Sequence, residues 1–195
     1  GKRVQSMMGA KNHVVVMPDA NKEQTLNALV GAAFGAAGQR CMALSVAVMV
    51  GETKHWVDEL VMKTKTLSVN AGHEPNTDVG PVISPRAKAR IVDLINSGIE
   101  QGAEILLDGR DVQVKGYEQG NFVGPTIFNQ INTEMRIYKE EIFGPVLAII
   151  HVDTLDEAIA LVNANPFGNG VGLFTQSGTT ARIFQNSIDI GQVGI

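Results

Sequence analysis

The chain of 195 residues has a single cysteine, Cys41, and so can close no disulfide within itself. No cysteine and histidine cluster has zinc-ligand spacing, and the four histidines, His13, His55, His73 and His151, are scattered. A structural metal is therefore not expected, and a reducing compartment is. No stretch approaches the run of about 18 apolar residues needed for a spanning helix. The longest apolar run, Met42 to Val50, is of strand length and is interrupted by Ser45. No basic segment followed by an apolar one opens the chain, so no secretory signal is visible. Charge of either sign is nowhere dense. With 16 basic against 20 acidic residues, nothing offers an electrostatic footprint for nucleic acid or an anionic membrane, and a small molecule is the expected partner. A dinucleotide fingerprint is also missing. Gly168-Asn169-Gly170-Val171-Gly172 has close glycines, but it follows a helical segment and leads into a strand. That reverses the order that puts a pyrophosphate on a helix N-terminus, so the run reads as a turn.

What is present is an alternation of strand-length apolar runs with amphipathic helical segments, which predicts a layered α/β domain with a largely parallel sheet. His13 to Met17 reads as a strand ended by Pro18, with Asp19 capping a helix whose face carries Leu26, Leu29, Val30, Ala33 and Phe34. Leu44 to Val50 reads as a buried strand, and Trp56, Val57, Leu60 and Val61 mark the next helix. Ser84-Pro85 is an N-cap with proline in the first turn, ahead of a stripe of Ala87, Ile91, Leu94, Ile95 and Ile99. Ala103 to Leu107 and Val146 to Val152 are expected strands, and Asp108 to Gly124 a loop or hairpin. Thr154-Leu155-Asp156-Glu157 has capping-box spacing. Val171 to Thr175, a helix after Ser177 and Gly191 to Gly194 complete the pattern, with no repeat and no internal linker.

Two runs carry chemistry. Cys41 closes Phe34-Gly35-Ala36-Ala37-Gly38-Gln39-Arg40-Cys41. A lone thiol is either a buried, inert space-filler or a nucleophile. Arg40 beside it favours the thiolate, and the small residues ahead of it leave room for a substrate. In Glu140-Glu141-Ile142-Phe143-Gly144-Pro145-Val146 the acidic pair is either a solvated face or a ribose-binding carboxylate with a ring to pack on a cofactor.

Together these runs resemble the aldehyde dehydrogenase superfamily over essentially the whole chain. Gly38-Gln39-Arg40-Cys41 looks like its nucleophile motif and Glu140 to Val146 like its cofactor motif. Gly120 to Thr126 and Asn163 to Thr175 are similar to further landmarks in the same order. The resemblance implies a three-layer, open, mostly parallel sheet with helices on both faces, residues 1–195 forming the catalytic domain. An N-terminal NAD-binding domain and a C-terminal oligomerisation strand would then lie outside it, and the whole protein would be a dimer or tetramer. It implies Cys41 as nucleophile and Glu141 with Phe143 as NAD-binding residues. Family members that hydrolyse their acyl-enzyme carry Glu-Leu-Gly-Gly-Lys where this chain has Met7-Met8-Gly9-Ala10-Lys11. Met7 cannot act as a general base, help typically worth about 10² to 10⁴ in rate. A thiol needs less such help than water. The resemblance therefore points to the branch that transfers its acyl group to coenzyme A, with a semialdehyde as substrate. Arg40 would pair with the substrate's carboxylate or else form a structural ion pair. The expected location is the cytoplasm, or the mitochondrial matrix in a eukaryote. A hydrolytic enzyme releasing a free acid, and a domain that is inactive on its own, are the competing expectations.

Overall fold

Runs of β-branched and apolar residues build the strands, and segments with apolar side chains three and four apart build the helices between them. In chain order these are β1 (Asn12–Val16), α1 (Lys22–Phe34), β2 (Leu44–Val50), α2 (Val57–Lys65), α3 (Pro85–Glu100), β3 (Glu104–Leu107), β4 (Thr126–Asn129), α4 (Arg136–Lys139), β5 (Val146–Val152), α5 (Leu155–Asn163), β6 (Gly170–Phe174), α6 (Gly178–Ser187) and β7 (Gln192–Gly194). They are read from a computed structural model, which describes residues 1–4 and 8–195.

The caps show where local chemistry sets element ends. Ser84 accepts a hydrogen bond from the Ala87 N–H, and Pro85 occupies the first turn of α3, as its sequence implies. The cap of α1 is Asn21, whose Oδ1 accepts from the Gln24 N–H, and not Asp19. Asp19 is drawn off instead by the Thr175 hydroxyl and the Gln176 N–H, which tie the end of β1 to the end of β6. At α5, Thr154 accepts from the Glu157 N–H, but the Glu157 carboxylate reaches Asp153 N–H, so the capping box is displaced by one residue. Trp56 belongs to a short 3₁₀ segment ahead of α2.

The strands form one sheet in the order β3-β4-β5-β2-β1-β6-β7, parallel throughout except for the antiparallel β3/β4 pair. The crossover β1-α1-β2 runs toward one edge of the sheet, whereas β5-α5-β6 and β6-α6-β7 run toward the other. Right-handed crossovers in opposite directions place their helices on opposite faces. The result is a three-layer α/β arrangement with α1 on one side and α5 and α6 on the other. Leu26, Leu29 and Phe34 of α1, Leu94 and Ile95 of α3, and Val46 to Met49 of β2 are fully buried in one continuous core. Each large side chain so buried contributes about 1.5–3 kcal/mol.

Strand register sets where the connecting loops converge. Asn12 pairs with Leu44, Thr126 with Val146, and Gly170 with Gln192. The parallel strands therefore begin along a common edge, and the loops that enter β1, β2, β5 and β6 meet there.

Candidate active site

Those loops hold both chemistry-bearing runs. After Phe34 the chain enters a tight turn in which Ala36, Ala37 and Gly38 have φ of 53°, 52° and 67°. Left-handed backbone costs a non-glycine residue roughly 1–2 kcal/mol, so Ala36 and Ala37 are strained and Gly38 alone is not. At Gly38 a second constraint applies. A Cβ there would overlap the carbonyl of Gly144, so the turn that leads to Cys41 and the turn that holds Glu141 and Phe143 touch backbone to backbone. Gln39 staples the same turn to the approach of α3, its Oε1 accepting from the Ile83 N–H at 2.8 Å.

Cys41 comes next, in an exposed turn ahead of β2. Arg40 is exposed, and its guanidinium lies over the C-terminal end of α1, Nη2 donating to Gly31 O at 2.9 Å and to Ala32 O at 3.3 Å. A cation is favoured at that end of a helix. Arg40 forms no ion pair among the described residues. Its Nε and Nη1 donate to no described group, so they remain open to an anion.

The second run enters from α4. Arg136 Nε donates to Glu140 Oε1 at 2.9 Å, and Arg90 Nη1 donates to Ile142 O at 3.0 Å. The Lys11 ammonium, 1% exposed, donates to Ile137 O at 2.6 Å and Glu140 O at 2.7 Å. Lys11 and Arg90 thus fix the backbone on either side of Glu141, and Arg136 holds the side chain of its neighbour Glu140. Burial pushes the Lys11 pKa down to about 7, opposed by the charge of Glu141 and, more weakly, of Glu140, while Arg90 adds to the lowering. The carboxylate of Glu141 itself has no partner among the described residues. Phe143 has φ of 55° and remains 43% exposed, a strained and outward-facing position for an aromatic ring. A free carboxylate and a presented ring on a rigid turn suit the ribose and flat ring of a nicotinamide nucleotide.

Cys41, Arg40, Glu141 and Phe143 line one shallow cleft with Asn12, Gly38 and Ser45. The site residues expected from sequence are thus brought together, although they come from segments about one hundred positions apart. Met7 lies outside the described residues. Sequence reasoning passed over Lys11, Asn12 and Asn169. The signal was there for the first two, since polar residues at the start of an apolar strand must find partners once buried. An adjoining cavity of about 420 Å³ is lined by Met8, Gly9, Pro166, Phe167, Asn169 and Gln192. Among the described residues no group of three or more His, Cys, Asp or Glu could hold a metal, and no helix is long and apolar enough to cross a membrane.

Residues 1–195 match the aldehyde dehydrogenase family. The whole chain is 64% identical to the mitochondrial acylating methylmalonate-semialdehyde/malonate-semialdehyde dehydrogenase of Bos taurus and covers 36% of its length. A Sinorhizobium meliloti protein assigned as a methylmalonate-semialdehyde dehydrogenase, solved with NAD, superposes with a TM-score of 0.94 at 47% identity, over 95% of this chain and 38% of that one. The methylmalonate-semialdehyde dehydrogenase of Oceanimonas doudoroffii gives 0.93 at 44% identity, over 96% and 39%. The chain thus spans little more than a third of the length of these relatives.

Proposed function

The chain belongs to the aldehyde dehydrogenase family, and from that premise we propose that it carries the nucleophile of an NAD-dependent dehydrogenase that oxidises methylmalonate or malonate semialdehyde and passes the acyl group to coenzyme A. The observation that carries the reading is the convergence of an exposed Cys41, an unpartnered Glu141 and a presented Phe143 on one cleft. The substrate class is supported by the names of the relatives and by the open donors of Arg40.

In this reading the Cys41 thiolate adds to the aldehyde carbon, and the new C–S bond leaves a negative oxygen. Backbone N–H groups beside Cys41, together with a side-chain amide from outside these residues, hold that oxygen. Glu141 accepts hydrogen bonds from a ribose, and Phe143 packs against the cofactor. NAD, when bound, supplies the hydride acceptor that turns the adduct into a thioester on Cys41. Arg40 holds the substrate carboxylate through Nε and Nη1 while Nη2 keeps its place on α1. The carboxylate stands on the carbon next to the thioester carbonyl, so carbon dioxide can leave with its bonding electrons delocalised into that carbonyl, and a proton is taken up in its place. The thiolate of coenzyme A then attacks the thioester and expels Cys41 as thiolate, giving propionyl-CoA or acetyl-CoA. The mitochondrial matrix is the proposed site of action in a eukaryote, in line with the mitochondrial relatives.

The test uses the full-length protein carrying this sequence. Acyl-CoA is the expected main product, and Cys41→Ala should lower turnover by on the order of 10³ or more. Free acid released equally fast without coenzyme A would overturn the acceptor, and an active Cys41→Ala variant would overturn the nucleophile.

A further inference from the structure

Cys41 is exposed, yet the peptide that comes after it is tightly bound. Asn12 Nδ2 donates to Cys41 O at 2.9 Å and to Ala43 O at 2.8 Å. Asn169 Nδ2 donates to the same Cys41 O at 2.8 Å and to Asn12 Oδ1 at 3.1 Å, and lies 3.2 Å from Met42 Sδ. The orientation of both amides is fixed by their partners. Two backbone carbonyls can only accept, so Asn12 must turn its NH₂ to them and its oxygen to Asn169. We propose that Asn12 and Asn169 are positioning residues for the Cys41 nucleophile, two amides that clamp its carbonyl and thereby aim the thiol.

The planarity of the peptide unit makes the clamp directional. A trans peptide is planar, and no peptide bond among the described residues is cis. Fixing the Cys41 carbonyl fixes the plane joining residues 41 and 42 and the ψ angle of Cys41, hence the direction of its Cα–Cβ bond. The N–H of Met42 points opposite to the clamped carbonyl. Neither it nor the Cys41 N–H bonds to another described group, so both remain available to a developing oxyanion. The turn closes with Ala43 N–H donating to Arg40 O at 3.0 Å. The clamp also joins distant parts of the fold, since Asn12 opens β1 and Asn169 stands in the turn before β6. Asn12 is buried whereas Asn169 is partly open to solvent. If the pair were only structural, water could replace the Asn169 amide at little cost.

The inference rests on the reading of Cys41 as nucleophile. In the full-length enzyme, Asn169→Leu removes the donors at similar volume, and Asn169→Asp sets a carboxylate against the clamped carbonyl. Misaimed reacting groups cost up to about 100-fold. For Asn169→Leu the expected result is a kcat about 10- to 100-fold lower with KM for NAD within about twofold of the parent, and for Asn169→Asp a larger loss. Unchanged kcat in Asn169→Leu, or a loss of kcat, KM and thermal midpoint together, would overturn the clamp. Cys41→Ala separates the two ideas: if it is inactive while Asn169→Leu is fully active, only the clamp fails. If Cys41→Ala is active, the nucleophile reading itself fails.

Discussion

Lys11, Asn12 and His13 are three polar residues in a row, all buried, at the mouth of an otherwise apolar strand. Each is kept there by a different device: Lys11 by two carbonyls, Asn12 by three amide hydrogen bonds, and His13 by a hydrogen bond of 3.2 Å shared with the Tyr138 hydroxyl. Burial lowers the His13 pKa to about 4, the proximity of Lys11 adding to the effect and a backbone hydrogen bond opposing it. An unfolded histidine titrates near 6.5. Between these values the unfolded chain binds a proton that the folded chain refuses. Stability is therefore complete above about pH 6.5 and falls as the pH drops toward 4, by on the order of 3 kcal/mol from this group. His13→Phe, which keeps the ring against Tyr138, should flatten that acid limb in urea denaturation series between pH 4 and 7. An unchanged slope would rule His13 out as its source. From sequence alone His13 reads as one of four scattered histidines, because nothing in its neighbours foretells Tyr138, 125 positions away.

At the level of elements, the two family motifs work as one unit because their turns are in backbone contact. Gly38 has φ of 67° and faces the Gly144 carbonyl with no room for a Cβ. Gly38→Ala should thus destabilise the fold by roughly 2–4 kcal/mol through strain and forced separation of the turns. The turn that holds Glu141 and Phe143 would move with it, so on the proposed reading KM for NAD of the full-length protein should rise as well. A loss in chemical denaturation of less than about 1 kcal/mol would show that the turns can part freely. The glycine is visible in the sequence, but its reason is not, since Gly144 arrives from a segment about one hundred positions further along the chain. The same limit explains the ends of α1 and α5. Asp19 and Asn21 are both good caps by residue type, and the choice between them was made by Thr175 and Gln176, which captured Asp19. Ser84-Pro85 had no such competitor, and its cap was legible from the start.

The whole molecule places its cleft at an unusual edge. Ligands of open α/β sheets commonly bind beyond the carboxyl ends of the strands, whereas Cys41, Glu141 and Asn169 gather where the parallel strands begin. The α1 helix ends at this edge, and Arg40 supplies the cation that its terminal carbonyls favour. In the proposed reading the site on these residues would offer NAD one carboxylate and one ring, which is little against the cost of ordering a dinucleotide. The 195-residue chain by itself is accordingly expected to bind NAD only weakly, and low-micromolar binding by calorimetric titration would place the main cofactor surface within it. Composition and periodicity by themselves determined the α/β class and most helix and strand positions, because burial patterns and caps are local. The order of the motifs determined the family and pointed to Cys41, Glu141 and Phe143. Only the tertiary structure decided which edge the motifs share, that Arg40 rests on α1, and that Lys11, Asn12 and Asn169 hold the two turns in place. Those contacts join residues up to 157 positions apart, and a buried polar group declares its partner only when the strands that carry them both are laid side by side.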